Sequence, residues 1–152
     1  RCKTIDQIQP GDVVKSGAGR NEVATVAATY ERNSSNCRAL QFDLPGPTAA
    51  DMVDTTDEHL FWVDGKGWTS ADQLIVGQWL FNADGERVQI VANRRLAGSE
   101  EVFTLKLRGD TAFYANGVLV HDLCGQWAQA DAPVRVDWNP SGRLPAATKT
   151  LK

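Results

Sequence analysis

Apolar and polar residues alternate with a period of two through most of the chain, and Gly, Asn and Asp break the alternation at short intervals. Val13-Val14, the stretch from Glu22 to Tyr30 and the stretch from Cys37 to Leu44 are the first runs. Gly17-Ala18-Gly19 and Arg32-Asn33-Ser34-Ser35-Asn36 separate them. Leu60-Phe61-Trp62-Val63 leads into Asp64-Gly65-Lys66-Gly67-Trp68, and Trp79-Leu80-Phe81 is joined to Val88-Gln89-Ile90-Val91 through Asn82-Ala83-Asp84-Gly85. Asp-Gly between two such runs predicts a hairpin, because the tight turns that match strand twist need positive φ. Glu101 to Leu107 follows, and then Ala112 to Ala115 and Val118 to Val120 face each other across Asn116-Gly117. Helical periodicity is nearly absent, and Thr69 to Leu74 predicts a single turn. The pattern is that of an all-β domain.

One segment occurs twice. Asp6-Gln7-Ile8-Gln9-Pro10-Gly11-Asp12-Val13-Val14 returns as Asp72-Gln73-Leu74-Ile75-Val76-Gly77-Gln78-Trp79-Leu80. Each copy reads as a short turn with an apolar anchor, then Gly, then the start of a strand. Two copies predict a duplicated β-subdomain with a pseudo-two-fold; a solenoid needs three or more. After Cys124 the texture changes: Pro133, Pro140 and Pro145 stand among few aliphatic residues without a period. The expected organisation is a domain over 1–124 followed by a linker or packed tail over 125–152, which Trp127 and Trp138 are placed to tack down.

Composition narrows the function classes. The 152 residues are 42% hydrophobic and 23% charged, ordinary globular usage that allows a real core. Sixteen Lys and Arg against nineteen Asp and Glu leave a net charge of −3, which disfavours a nucleic-acid partner, since that would show a basic stripe. No apolar run approaches the ~20 residues of a membrane-spanning helix. The cysteines at 2, 37 and 124 are widely spaced and odd in number, so neither a disulfide framework nor a zinc site is indicated. One disulfide with one thiol left over stays open. So does the plainer reading, in which Cys2 and Cys37 are small buried apolar residues.

The two histidines close informative segments. Thr56-Asp57-Glu58-His59 precedes an apolar strand, and Val118-Leu119-Val120-His121-Asp122 ends one. A Thr-x-x-His tetrapeptide alone arises often by chance, and a histidine at a strand end is more often a surface residue than a catalyst. Together with their surroundings they say more. Thr55-Thr56-Asp57-Glu58-His59-Leu60-Phe61-Trp62-Val63, followed by Gly67-Trp68, and Phe113-Tyr114-Ala115-Asn116-Gly117-Val118-Leu119-Val120-His121 resemble the motifs of the Hint family. That family comprises inteins, bacterial intein-like domains, Hedgehog autoprocessing domains and the Hint modules of bacterial polymorphic toxins. The resemblance covers about residues 3–122 and is specific from Thr55 onward.

The resemblance implies a horseshoe of two related β-subdomains and cleavage of the chain's own backbone. In the family an N-terminal cysteine converts the preceding peptide bond to a thioester, helped by the Thr-x-x-His pair, to which Thr56 and His59 correspond. At the far end an asparagine cyclises onto its own carbonyl, assisted by the penultimate histidine, to which His121 corresponds. This chain departs from that pattern in three places. Cys2 stands too close to Thr4-Ile5-Asp6 to begin the family's first strand, so the expected nucleophile lies upstream, with Cys2 as the alternative. Asp122 replaces the cyclising asparagine. Leu123 offers no acceptor for splicing, and Cys124 comes one residue late. Asp110 stands near a further helper position of the family, although Gly109-Asp110 also reads as a plain turn.

The sequence therefore reads as a self-processing domain, single-turnover and autoprotease-like, that acts in cis and releases a C-terminal segment after Asp122 without splicing. It needs no cofactor or metal and belongs in a secreted, cell-surface or toxin-like precursor. Two other readings stand beside it: a catalytically degenerate Hint scaffold or interaction module, and a metal site using His59, His121 and cysteines, which lacks any short ligand spacing. The acidic group Asp54, Asp57 and Glu58 is expected to be a solvated loop face.

Overall fold

The structure, a computed structural model, describes residues 2–17, 22–43, 52–109, 111–122, 130–131 and 135–137. The strands run β1 (Cys2–Thr4), β2 (Val13–Lys15), β3 (Val23–Ser34), β4 (Cys37–Asp43), β5 (Met52–Thr56), β6 (Leu60–Val63) and β7 (Gly67–Ser70). They continue as β8 (Trp79–Phe81), β9 (Arg87–Arg95), β10 (Glu100–Leu107), β11 (Ala112–Ala115), β12 (Val118–His121), β13 (Ala130–Asp131) and β14 (Arg135–Asp137). Helix is confined, among the described residues, to two 3₁₀ turns, Ile5–Gln7 and Ala71–Gln73. None of it is long and apolar enough to cross a membrane. The protein is all-β.

Two antiparallel sheets result. One has the order β1-β14-β11-β12-β6-β7, the other β2-β3-β10-β13-β5-β4-β9-β8. Two of the expected turns form where glycine frees the backbone. Val63 pairs with Gly67 across Asp64–Lys66, and Ala115 pairs with Val118 across Asn116-Gly117. Asn116 takes φ 46° and Gly117 φ 85°, the positive values that such a turn demands. Two boundaries differ from the sequence expectation. β3 runs on through Ser34, which shrinks the expected break to Ser35 and Asn36, and β9 runs on to Arg95.

The repeated segment is repeated in space, bond for bond. Ile8 N donates to Ile5 O at 3.2 Å and Leu74 N to Ala71 O at 3.3 Å, closing the two 3₁₀ turns. Gly11 N reaches Val26 O and Gly77 N reaches Ile90 O, both at 2.8 Å. Val26 N returns to Asp12 O at 2.8 Å, and Ile90 N to Gln78 O at 2.9 Å. The side chains repeat as well: Gln9 N donates to Asp12 Oδ2 and Ile75 N to Gln78 Oε1, both at 2.9 Å. The anchors Ile5, Ile8, Ala71 and Leu74, with Val14, Val26, Leu80 and Ile90, are buried in one common core. Burial of each large aliphatic side chain contributes about 1.5–3 kcal/mol.

Two short strands come from beyond Cys124. Ala130 pairs with Phe103 on one side and Thr55 on the other, so β13 lies between β10 and β5. β14 pairs with β1 and, at Val136, with Ala115 of β11. Trp127 and Trp138 lie outside the described residues.

Candidate functional site

β5 delivers the first part of the site. It pairs with β4, where Cys37 faces Thr56, and ends on Thr55 and Thr56, both fully buried. The chain then turns: His59 N donates to Thr56 O at 3.3 Å, and Asp57 N to Asn36 O at 2.9 Å. The second 3₁₀ turn braces this loop from the other side. Ala71 N donates to His59 O at 2.9 Å and Asp72 N to Asp57 O at 3.0 Å. The His59 ring is fully buried and sits edge-on to Phe61 at 5.4 Å between centroids.

Of the acidic residues around this loop, Glu58 is exposed as expected, whereas Asp54 and Asp57 are partly buried. Arg38 Nε and Arg95 Nη1 donate to the two oxygens of Asp57 at 2.8 and 3.0 Å. Arg32 Nη2 pairs with Glu58 Oε1 at 3.0 Å. Exposed pairs of this kind are individually worth little, but at Asp57 two guanidinium groups share one half-buried carboxylate and fix the loop's outer edge. Asp54, on β5, is partly buried. Desolvation raises its pKa above the ordinary carboxylate value, Glu100 adds to the shift, and Arg94 opposes it.

β12 delivers the second part. Val120 pairs with Phe61, so His121 and His59 end up at the same end of the β6–β12 pair. Their rings rest on different supports. His121 packs edge-on against Trp68 at 4.8 Å, and Trp68 packs against Trp62 at 5.2 Å. Because Phe61 and Trp62 are successive residues of one strand, they point to opposite faces of the sheet. Tyr114, on neighbouring β11, has its phenol pKa raised, by burial first and then by the charge of Asp84.

Asp122 follows His121 and is fully buried. Its N–H donates to Thr111 O at 2.7 Å. Its two carboxylate oxygens are not equivalent. Oδ2 accepts from Leu107 N at 3.0 Å and lies 3.3 Å from Lys106 Nζ. Oδ1 lies 3.2 Å from His121 Nδ1, out of line for a hydrogen bond, and accepts none among the described residues. A fully buried carboxylate without such donors would cost several kcal/mol, so β10 is what allows Asp122 to sit here.

Of the residues singled out from sequence, Thr56 and His59 stand on one loop and His121 and Asp122 on the strand beside it. Cys2 is in β1, opposite Asp137. Asp110 and Cys124 lie outside the described residues. Cys37 is a buried thiol whose Sγ lies 3.7 Å from Ser34 O. No cluster of three His, Cys, Asp or Glu able to hold a metal ion occurs among the described residues. Sequence reasoning missed Lys106, Leu107 and Trp68 as neighbours of the site, and Arg38 and Arg95 as its outer support. The one signal for Lys106 was a lone cation in an otherwise uncharged run from Val102 to Leu107.

This geometry has known counterparts. No curated protein matches the chain. Among solved structures, the bacterial intein-like domain from Clostridium thermocellum superposes with a TM-score of 0.66 at 25% identity, over 78% of this chain and 86% of that one. The gp41-1 intein gives 0.63 at 24% identity, over 78% and 85%. A DnaB intein from Synechocystis sp. PCC 6803 gives 0.61 at 21% identity, over 78% and 82%. The last two show likeness of fold alone. The sequence profile of the pretoxin HINT domain matches residues 1–123. The chain therefore belongs to the pretoxin Hint family, self-processing domains of the intein-like kind that act in cis on the segments flanking them.

Proposed function

We propose that this domain breaks its own chain between Asp122 and Leu123 and so releases the segment that follows, without splicing. The observation that carries the reading is the fully buried Asp122 at the end of β12, beside His121 and with one carboxylate oxygen accepting no hydrogen bond among the described residues. That oxygen is of the right kind to attack the residue's own carbonyl. The carboxylate then replaces the amine of residue 123, and the departing nitrogen takes a proton, in this reading from His121. Thr56 and His59 belong to the other half of the chemistry, the thioester-forming step. Leu123 has no nucleophile to receive an acyl group, so cleavage is the outcome in place of ligation. The natural setting is a secreted, toxin-like precursor whose C-terminal part is the passenger.

The intact mass of the purified chain over time tests this. A fragment ending at Asp122 is expected, lost in His121→Ala and retained in His59→Ala. Asp122→Asn closes to a succinimide, a more stable product than the anhydride, and should cleave at least ~10-fold faster, a barrier change of ~1.4 kcal/mol. A chain that stays whole, with Asp122→Asn equally whole and both folded, would mean that the site is a scaffold. One observation favours that second reading: the donors on Oδ2 hold Asp122 as a structural carboxylate would be held.

A further inference from the structure

Asp122 is shut away from solvent, yet one of its partners is not. Lys106 lies on β10 with its side chain 44% exposed, and its ammonium reaches inward to Oδ2 at 3.3 Å. Leu107, the next residue, donates its backbone N–H to the same oxygen at 3.0 Å. The backbone bond is enough to orient the carboxylate. The ammonium adds charge, and it adds it on the oxygen that does not react.

The chemistry of the proposed cleavage fixes the sign of that charge effect. Oδ1 attacks the main-chain carbonyl carbon of Asp122, forming the C–O bond of a cyclic anhydride. The C–N bond to residue 123 breaks, its electron pair stays on nitrogen, and the amine leaves with a proton from His121 or water. Water then opens the anhydride and restores the side-chain carboxylate. Before attack the negative charge is shared by Oδ1 and Oδ2. During attack it moves to the main-chain oxygen, and Oδ2 becomes a neutral carbonyl. An ammonium beside Oδ2 therefore stabilises the starting state more than the transition state, and an interaction of that kind slows a reaction.

From this geometry, and resting on the cleavage proposed above, we infer that Lys106 is an electrostatic latch on self-cleavage. Paired with Asp122 it stabilises the buried carboxylate before attack and so slows the attack, and because its stem emerges to solvent it is the handle by which the latch is released. Loss of its charge frees the carboxylate while the Leu107 N–H keeps it aimed.

A double-mutant cycle on the full chain tests the latch, read by intact mass over time, with circular dichroism confirming the fold. Lys106→Met should raise the rate of cleavage after Asp122 at least ~5-fold. Lys106→Gln, which keeps a donor for Oδ2 without the charge, should do the same and guards against a folding defect in the first variant. Lys106→Arg keeps the cation and should match the parent. In an Asp122→Asn background, where there is no carboxylate to restrain, Lys106→Met should leave the rate unchanged. A slower or unaltered rate in both neutral variants overturns the latch, and so does an equal acceleration in the Asn background, which would mark a structural effect. If Asp122→Asn itself never cleaves, the proposed function fails and the latch falls with it. If Asp122→Asn cleaves and only the lysine variants behave otherwise, the latch alone is wrong.

Discussion

In the second copy of the repeated unit, the amide of Asn93 donates to Ala71 O at 3.1 Å and Leu74 O at 3.0 Å, tying the 3₁₀ turn to β9. In the first copy the matching place on β3 belongs to Thr29. There, a cavity of about 220 Å³ opens between the turn and the sheet, lined in part by Ile5, Ile8, Thr29 and Phe103. The backbone bonds of the two copies are alike, so the difference is one of bracing. The second turn holds the loop from Thr56 to His59 through Ala71 N and Asp72 N, and slack there would reach the site directly. Among the described residues no such bonds leave Ile5 N or Asp6 N of the first turn, and the packing beside it is looser.

A second difference runs the other way. Gly17 and Ala83 occupy matching places, each following a residue whose N–H closes the hairpin: Ser16 N to Glu22 O and Asn82 N to Glu86 O. A Cβ on Gly17 would come within 2.6 Å of Leu119 Cδ1 and 2.8 Å of Ala112 Cβ. Here the first copy is the tight one, because it is pressed against β11 and β12.

The largest break in the comparison should come from giving the first copy the second's residue. Gly17→Ala is expected to destabilise the protein by about 2–3 kcal/mol through overpacking, while the reverse change, Ala83→Gly, should cost about 1 kcal/mol or less. Urea unfolding of both variants measures the contrast, and equal losses would refute it. Next, Asn93→Ala removes the donor of Leu74 O and leaves Ala71 O with only the bond from Leu74 N, and should cost about 1–2 kcal/mol, with faster hydrogen exchange at the amides of Ala71 and Asp72. Thr29→Ala should cost under about 0.5 kcal/mol, as it removes no clamp.

A sharper test builds the clamp where it is missing. Thr29→Asn should fill part of the cavity, bond the first turn and stabilise by roughly 0.5–1 kcal/mol. A loss of stability would show that the two turns are less alike than their backbones. The smallest effect concerns pH and the edge of β9 near the second turn, where Arg94 acts on Asp54. Folding raises the carboxyl pKa of Asp54 above 3.8, so the folded state holds the proton more tightly. The stability this provides is fully present below 3.8 and is lost as pH rises through the raised value. Asp54→Asn should flatten stability against pH above 3.8, and Arg94→Gln should steepen it, since its charge opposes the shift. Chemical denaturation at several pH values decides it.

Much of this could be read before the structure. The repeated segment, the hairpin turns and the two histidines at strand ends are local signals, and each matches a local physical demand: positive φ at Asn116-Gly117, or a buried anchor before Gly11 and Gly77. What could not be read depends on distant partners. β5 reads as Met-Val-Asp-Thr-Thr, with little alternation, and only its pairing with β4 reveals that both threonines are buried. Asp57 looked solvated because Arg38 and Arg95, which bind it, are far away in sequence. Nothing in the run from Val102 to Leu107 says that Lys106 turns inward, for an alternating strand offers a charged residue either face.

The placement of β13 and β14 changes what a broken backbone would mean. Both strands come after Asp122, yet one fills the gap between β10 and β5 and the other joins β1 to β11. A chain cut at 122–123 would be two covalent pieces and still one particle, with the outgoing piece stitched into both sheets. Mass spectrometry under denaturing conditions would count two species where size exclusion under native conditions finds one. Bond breaking and departure then have separate clocks. The first is set by Asp122 and its neighbours. The second is set by the rate at which two short strands peel away, and a mechanical pull or a competing strand could hasten it without touching the chemistry.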